Sequence, residues 1–332
     1  MKSLRLLCVL LLATPLSAAS TNQFIIATYN VENWNSIERS GKPAQPKPPA
    51  EKVAVIGVIT TIRPDVLAIE EMGQTNDLAE LTTGLRAKGW DYPQQEWIQG
   101  SDPDRHVCLL SRFPIVQRNS RTNYTYLVDG KVTHIQRGLL DVLIKVNDNY
   151  SFRAIVAHLK SKRRSDYGDQ AAMRLEEARL LRTHIGKILK EAPEQNLIAL
   201  GDFNDTPDSE PIHAIIGDPP FQLFALHPLD STGQDSTHYW KVHNEFSRID
   251  YLITSPGMSN EYVEGSAHIA DVPGWNDASD HRMVYARFYD HEAAVSGGRS
   301  GLGFCVLFTI PFRVTLVLVL VAGGIVWLRR RR

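Results

Sequence analysis

Apolar residues in this chain recur with two different periods, and the two divide it into strands and helices. Short runs dense in β-branched and aliphatic residues predict strands over 24–29, 66–69, 107–110, 139–146, 152–157, 197–200, 249–254 and 283–288. A 3.6-residue spacing predicts amphipathic helices over 51–63, where Pro64 stops the pattern, and over 170–190. In the second, Leu180, Leu181, Ile185, Ile188 and Leu189 line one face. A proline-rich loop over 42–49 comes before the first helix. The stretch from 20 to 292 has no internal repeat and no break in composition, so it reads as one domain.

The two ends depart from this pattern. Lys2 and Arg5 precede an apolar run over 6–13, and Ser17, Ala18 and Ala19 supply the small residues of a cleavage site. Residues 1–19 therefore read as a secretory signal peptide. At the other end a Gly-rich linker over 293–303 leads into an apolar segment and four arginines at 329–332, so residues 304–332 read as a transmembrane or sorting tail. Arg313 leaves 15 residues from Val314 to Leu328, about 22 Å of helix against a hydrocarbon core of roughly 30 Å. A full span would carry Arg313 at the outer interface. The same order of glycines, apolar run and arginines resembles C-terminal sorting tails of Gram-negative bacteria. The expectation is an exported protein, periplasmic or at the cell surface. It would be anchored in the membrane through its tail or released by a tail-processing protease.

Composition narrows the body further. An apolar content of 43% excludes a disordered chain. The formal net charge of -1 hides an acidic body, because residues 20–298 hold 28 Lys and Arg against 37 Asp and Glu, a net of -9. Gripping nucleic acid by bulk charge is excluded, and any polyanion must be held locally. Cys108 is the one cysteine between the two ends, so the body has no disulfide framework. Its apolar neighbours mark it as a core residue.

Polar groups gather at the strand ends, where loops over a rigid sheet place chemistry. They are Asn30, Glu70-Glu71, His158-Leu159-Lys160-Ser161, Gly201-Asp202-Phe203-Asn204, Arg248-Ile249-Asp250-Tyr251 and Ser279-Asp280-His281. Carboxylates and amides without thiolates form a hard oxygen-donor set, which selects Mg²⁺ or Mn²⁺ over Zn²⁺. Phosphodiester cleavage needs such an ion, a positioned nucleophile, and donors for the oxygens around phosphorus.

These motifs, together with Tyr29-Asn30-Val31-Glu32-Asn33-Trp34 and in this order, resemble the endonuclease/exonuclease/phosphatase superfamily over residues 24–288. The resemblance implies an α+β fold, a four-layer α/β/β/α sandwich of two packed mixed β-sheets flanked by helices. It implies that Glu71 ligates the metal, with Asn30 and Asp280 completing or supporting its shell. Glu70 stands where the family commonly has Gln. By the same resemblance His281 accepts a proton from the attacking water, and Asp250 holds its imidazole. Asp202 and Asn204 orient the nucleophile, and His158 stabilises charge developing on phosphorus. Asp104 is the candidate partner of His158, and Arg137 the candidate to reach a substrate phosphate. A carboxylate beside His281 predicts a raised pKa.

Lys160, Lys162, Arg163 and Arg164 follow His158 directly. This basic lip on an acidic body favours capture of a phosphate backbone, hence a nuclease with DNA or RNA as its partner. The alternatives are a phospholipid or inositol-phosphate phosphodiesterase or phosphatase, and a catalytically inactive surface-binding module. The sequence shows no exposed aromatic hairpin of the kind membrane insertion needs. Tyr239, Trp240 and Trp275 could stack bases or cover the core. No protein partner is inferable.

Overall fold

The computed structural model describes residues 22–39, 42–163 and 168–292. The signal peptide, the linker, the C-terminal tail and Arg164 lie outside the described residues. No helix among the described residues is long and apolar enough to cross a membrane.

Two six-stranded sheets pack face to face. In the first the strands run in the order His268–Ile269, Val284–Tyr289, Gln23–Trp34, Val66–Met72, His106–Ser111, Gln94–Ile98. In the second the order is Phe224–Ala225, Asp250–Thr254, Leu197–Asp202, Ser151–Ala157, Leu139–Lys145, Ile115–Arg118. Both sheets are mixed: Gln23–Trp34 is parallel to Val66–Met72, and Ser151–Ala157 is parallel to Leu197–Asp202, amid antiparallel pairs.

Strand periodicity sorts the apolar residues into layers. Phe24, Ile26, Val66, Ala68, Leu140, Val142, Ala154, Val156, Ile198, Leu200 and Leu252 meet between the sheets. Their odd or even neighbours face outward. Helices Pro49–Ile62 and Thr75–Ala87 cover the first sheet, setting Val58, Ile59, Leu81 and Leu85 against Leu67, Ile69 and Cys108. Helices Gln170–Glu191 and Glu210–Ile216 cover the second, setting Leu181, Ile185 and Ile212 against Ile155, Ala199 and Ile253. The result is the four-layer α/β/β/α sandwich. Burial raises the Cys108 thiol well above its ordinary pKa, as fits a core residue.

The eight expected strands are present with small shifts of boundary, and both expected helices form. Elements without a long periodic run are additions: the helix Thr75–Ala87, the edge strands Gln94–Ile98 and Ile115–Arg118, and the strand pairs Thr125–Val128 with Lys131–His134 and His238–Trp240 with Glu245–Ser247. A third pair, Ser36–Arg39 with Lys42–Pro46, corrects the expected proline-rich loop over 42–49, most of which is strand. The hairpin over 238–247 also corrects the sequence reading, because Trp240 is 47% exposed, Val242 83% and Phe246 57%.

Candidate active site

The polar motif residues continue the inward-facing parity of the core strands. Asn30 follows Phe24 and Ile26 on one strand, Glu70 follows Val66 and Ala68, His158 follows Ala154 and Val156, and Asp202 follows Ile198 and Leu200. Asp250 shares its face with Leu252. One end of the core thus changes from apolar to polar, and all five of these residues are buried. Gly201 allows the close approach this requires, since a Cβ there would lie 2.0 Å from the Ala157 carbonyl oxygen.

His281 is the centre of the cluster. Its Nδ1 faces Asp250 Oδ2 at 3.0 Å, and Asp250 Oδ2 also accepts the Thr237 hydroxyl at 2.6 Å. Its Nε2 lies 3.7 Å from Asp202 and 3.9 Å from Asp280. Burial disfavours the imidazolium, but the charges of Asp250, Asp202 and Asp280 outweigh it, so His281 is held well above its ordinary pKa. Ser279 fixes the segment by donating to the Asn30 carbonyl and accepting the His281 N–H.

Asp202 joins the groups on the other side. Its Oδ1 accepts the Asn204 N–H at 2.9 Å, and its Oδ2 accepts the Asn30 amide at 3.0 Å and the Asn204 amide at 3.2 Å. Burial, opposed by His281 and reinforced by Asp250, raises its pKa to about 7. His158 Nε2 stands 3.5 Å from the same carboxylate, and His158 Nδ1 has no hydrogen-bond partner among the described residues. Burial, then the charge of Arg137, holds His158 well below its ordinary value, so it is a neutral imidazole.

Glu70 and Glu71 separate cleanly. Glu70 stays on the inner face, fully buried, accepting the Thr28 hydroxyl at 2.8 Å, and burial pushes its carboxyl well above the usual range. Glu71 takes a left-handed backbone (φ 59°), which breaks the alternation, and it lines the pocket 3.8 Å from Arg105. Glu32, also left-handed (φ 48°), lines the pocket and accepts the Asp280 N–H. Burial, and then mutual repulsion, raises Glu32; burial, offset in part by His281 and reinforced by Glu71, raises Asp280. Crowded carboxylates of this kind, with an amide beside them, fit a hard divalent cation. Asn30 retains its Oδ1 at this position, where it accepts the Glu32 N–H. Asp280 also groups with His238 and His281 closely enough to share an ion.

The pocket is lined on its far side by Arg105, Arg137, Lys160, Lys162 and Arg163. Arg137 is buried and paired with Asp102 at 3.0 Å. Lys160 is buried as well, its ammonium donating to the carbonyls of Ser161 and Arg163, so the exposed part of the basic lip is Lys162 and Arg163. Asp104 does not meet His158. Its side chain is exposed, its N–H donates to Asp102 Oδ1, and Asp102 is the acid that enters the pocket. The two residues share one turn, and the turn aims only the first inward.

Sequence reasoning passed over Glu32, Asp102, Thr237 and His238. Glu32 lies inside the motif over 29–34 but on a left-handed kink. Thr237 and His238 reach the site through the hairpin, which holds its root to the catalytic segment by Tyr239 N–H to the Asp280 carbonyl and Arg282 N–H to the Thr237 carbonyl. Burial and the neighbouring His281 lower the His238 pKa to about 4, so this second imidazole is neutral.

The family model described as Endonuclease/Exonuclease/phosphatase matches residues 27–281. No curated protein matches the chain in sequence. Among solved structures, the human Nocturnin catalytic domain with bound sulfate is 18% identical, with a TM-score of 0.56 over 80% of this chain and 94% of that one. Sphingomyelinase C from Streptomyces griseocarneus is 16% identical, TM-score 0.53, over 80% and 99%. ANGEL2, described as a 2',3'-cyclic phosphatase in complex with adenosine-2',3'-vanadate, is 14% identical, TM-score 0.56, over 80% and 95%. At these identities the likeness is one of fold.

Proposed function

Because the chain belongs to the endonuclease/exonuclease/phosphatase family, we propose that it is a divalent-metal-dependent phosphodiesterase, and that its substrate is nucleic acid. The observation that carries this reading is the placement of His281, backed by Asp250, opposite Glu71 and Asp280 in one pocket whose exposed rim bears Lys162 and Arg163. Glu71, Asn30 and Asp280 would hold Mg²⁺ or Mn²⁺, which when bound polarises a phosphoryl oxygen.

The chain's own groups supply the rest. Asp202 and Asn204 orient the attacking water, and His281 Nε2 takes its proton while Asp250 fixes the tautomer through Nδ1. The neutral His158 has an N–H to offer the oxygens around phosphorus, and Arg137 stands where a phosphate oxygen would enter. Lys162 and Arg163 draw in the flanking backbone. General-base help of this kind is worth about 10² to 10⁴ in rate.

The purified protein is incubated with Mg²⁺ or Mn²⁺ and plasmid DNA, structured RNA or sphingomyelin, beside His281→Ala and an EDTA control. Metal-dependent loss of nucleic acid, abolished in the variant, is expected; headgroup release alone would move the assignment to a phospholipid phosphodiesterase. The exposed hairpin aromatics are the observation that favours this second reading. Absence of turnover on every substrate would favour the surface-binding module. Export is proposed from residues 1–19 and 293–332. The intact mass of the mature protein tests it, with loss of residues 1–19 expected and their retention contrary to it.

A further inference from the structure

The hairpin His238–Trp240 with Glu245–Ser247 has two unlike faces. The register pairs His238 with Ser247, Tyr239 with Phe246, and Trp240 with Glu245. By the two-residue period, His238, Trp240, Glu245 and Ser247 share one face, and all four line the active-site pocket. On the reverse face Tyr239 and Phe246 stack at 4.5 Å with an interplanar angle of 22°. Their contact stiffens the hairpin, and its root is bonded to the catalytic segment through Asp280 and Arg282.

The pocket face carries a graded series. The His238 ring lies 4.6 Å from the His281 ring. Trp240 follows two residues along the strand, about 7 Å farther out. The His243 ring packs against the Trp240 ring at 4.0 Å, and yet Trp240 remains 47% exposed. A large aromatic surface left open beside a reacting centre is positioned to take a flat partner. The lip at the same pocket carries Lys162 and Arg163. The cations of the lip suit an anionic group, while the open ring of Trp240 suits a flat one, and its cross-strand neighbour Glu245 disfavours a second anion there.

We propose that Trp240 is a stacking platform for an unpaired nucleobase adjoining the scissile phosphate, which makes single-stranded nucleic acid the preferred substrate class. The inference rests on the nuclease reading and deepens it. A base inside a duplex already has both faces stacked, so the platform selects bases that are free. A lipid surface would meet Phe246, 57% exposed on the reverse face, whereas Trp240 faces into the pocket. Stacking is tolerant of base identity, so little sequence preference is expected.

Binding is measured by fluorescence anisotropy in a His281→Ala background, so that nothing is cut. The probes are a labelled single-stranded oligonucleotide, the same length built from abasic units, a duplex, and sphingomyelin–phosphatidylcholine vesicles. Trp240→Ala is expected to weaken the base-bearing single strand by about 5- to 150-fold and to leave the abasic strand unchanged. Trp240→Phe should restore most of the difference. Equal loss on the abasic strand, no loss on any strand, or loss on vesicles alone would overturn the platform. Hydrolysis of the oligonucleotide by the unaltered protein is scored separately. A protein that binds through Trp240 without cutting would sink the nuclease reading only, and one that cuts with no dependence on Trp240 would sink the platform only.

Discussion

Two aspartates on strands of the second sheet, Asp141 and Asp250, are each paired with a histidine, and the two pairs are opposite in kind. In Asp141–His184 the imidazole Nε2 meets the carboxylate at 2.7 Å, Arg153 closes on the same carboxylate with two bonds of 2.6 Å, and the Tyr124 hydroxyl meets the other ring nitrogen at 3.0 Å. Every polar side-chain atom of the pair has a partner. In Asp250–His281 the ring's second nitrogen faces the pocket, with Asp202 and Asp280 both beyond hydrogen-bond reach. Strand parity sets them apart. Asp141 lies on the outer face of its strand, beneath helix Gln170–Glu191, whereas Asp250 lies on the inner face at the polar end of the core. A pair that is complete holds the fold, and one left incomplete is available for chemistry.

The largest expected effect tests that division directly. His281→Ala should lower kcat by about 10²- to 10⁴-fold and retain cooperative unfolding in urea. His184→Ala should do the reverse, leaving kcat near its starting value while stability falls by about 1–3 kcal/mol, the cost of a lost buried hydrogen bond, since Arg153 still pairs with Asp141. Equal loss of activity in the two variants would break the comparison.

Acid should separate them next. Burial pushes the Asp141 carboxyl upward, but the hydrogen bonds from His184 and Arg153 outweigh it and hold the group below its ordinary value. A lowered folded pKa gives stability that is present above the unfolded value of about 3.9 and lost as pH falls through the folded one. Urea midpoints of the parent and Asp141→Asn should therefore differ at neutral pH and converge in acid. His281 has the opposite shift. Asp250→Asn removes a charge that raises it, so the rise of kcat/KM with pH should move to lower pH while its plateau falls. A limb that stays in place would remove His281 from the proton transfer.

A smaller effect is expected at Glu177, which is buried beneath the basic lip. It accepts the Lys160 N–H at 2.7 Å, the Gln136 N–H at 3.2 Å and the Tyr126 hydroxyl at 3.1 Å, tying together two segments that line the pocket. Glu177→Gln presents a donor where one of these donors points, and should raise KM more than it lowers kcat. The smallest effect belongs to Asp104→Ala, expected to change stability by less than about 0.5 kcal/mol and to leave kinetics unaltered. Asp102→Ala frees Arg137 and should not be silent.

The sequence made the core strands and the motif residues on them readable, because inward parity and strand-end chemistry both lie in consecutive residues. Asn30, His158, Asp202 and Asp250 are found where alternation puts them. Glu71 needed more, since the left-handed backbone that brings it to the pocket departs from the strand rule. The rest depended on contacts distant in sequence. Asp102 and Asp104 differ only in which way a turn aims them. The hairpin is made of three-residue strands whose stability comes from Tyr239 against Phe246 and from anchorage to Asp280 and Arg282.

The inward parity has a further consequence for how the protein tolerates change. The reactive groups are the last rungs of the same ladders whose earlier rungs are Phe24, Val66, Val156 and Leu200. Deleting one residue within any of these strands would turn its apolar side chains to the helices and its polar end group away from the pocket together. The reacting centre and the interior are therefore indivisible, a fixed chassis. The hairpin, the turn at Asp102 and the lip beyond His158 are attached at its rim, where length and composition can vary without disturbing the register. Altered substrate preference is accessible by exchanging those rim segments, and relocation of the chemistry is not.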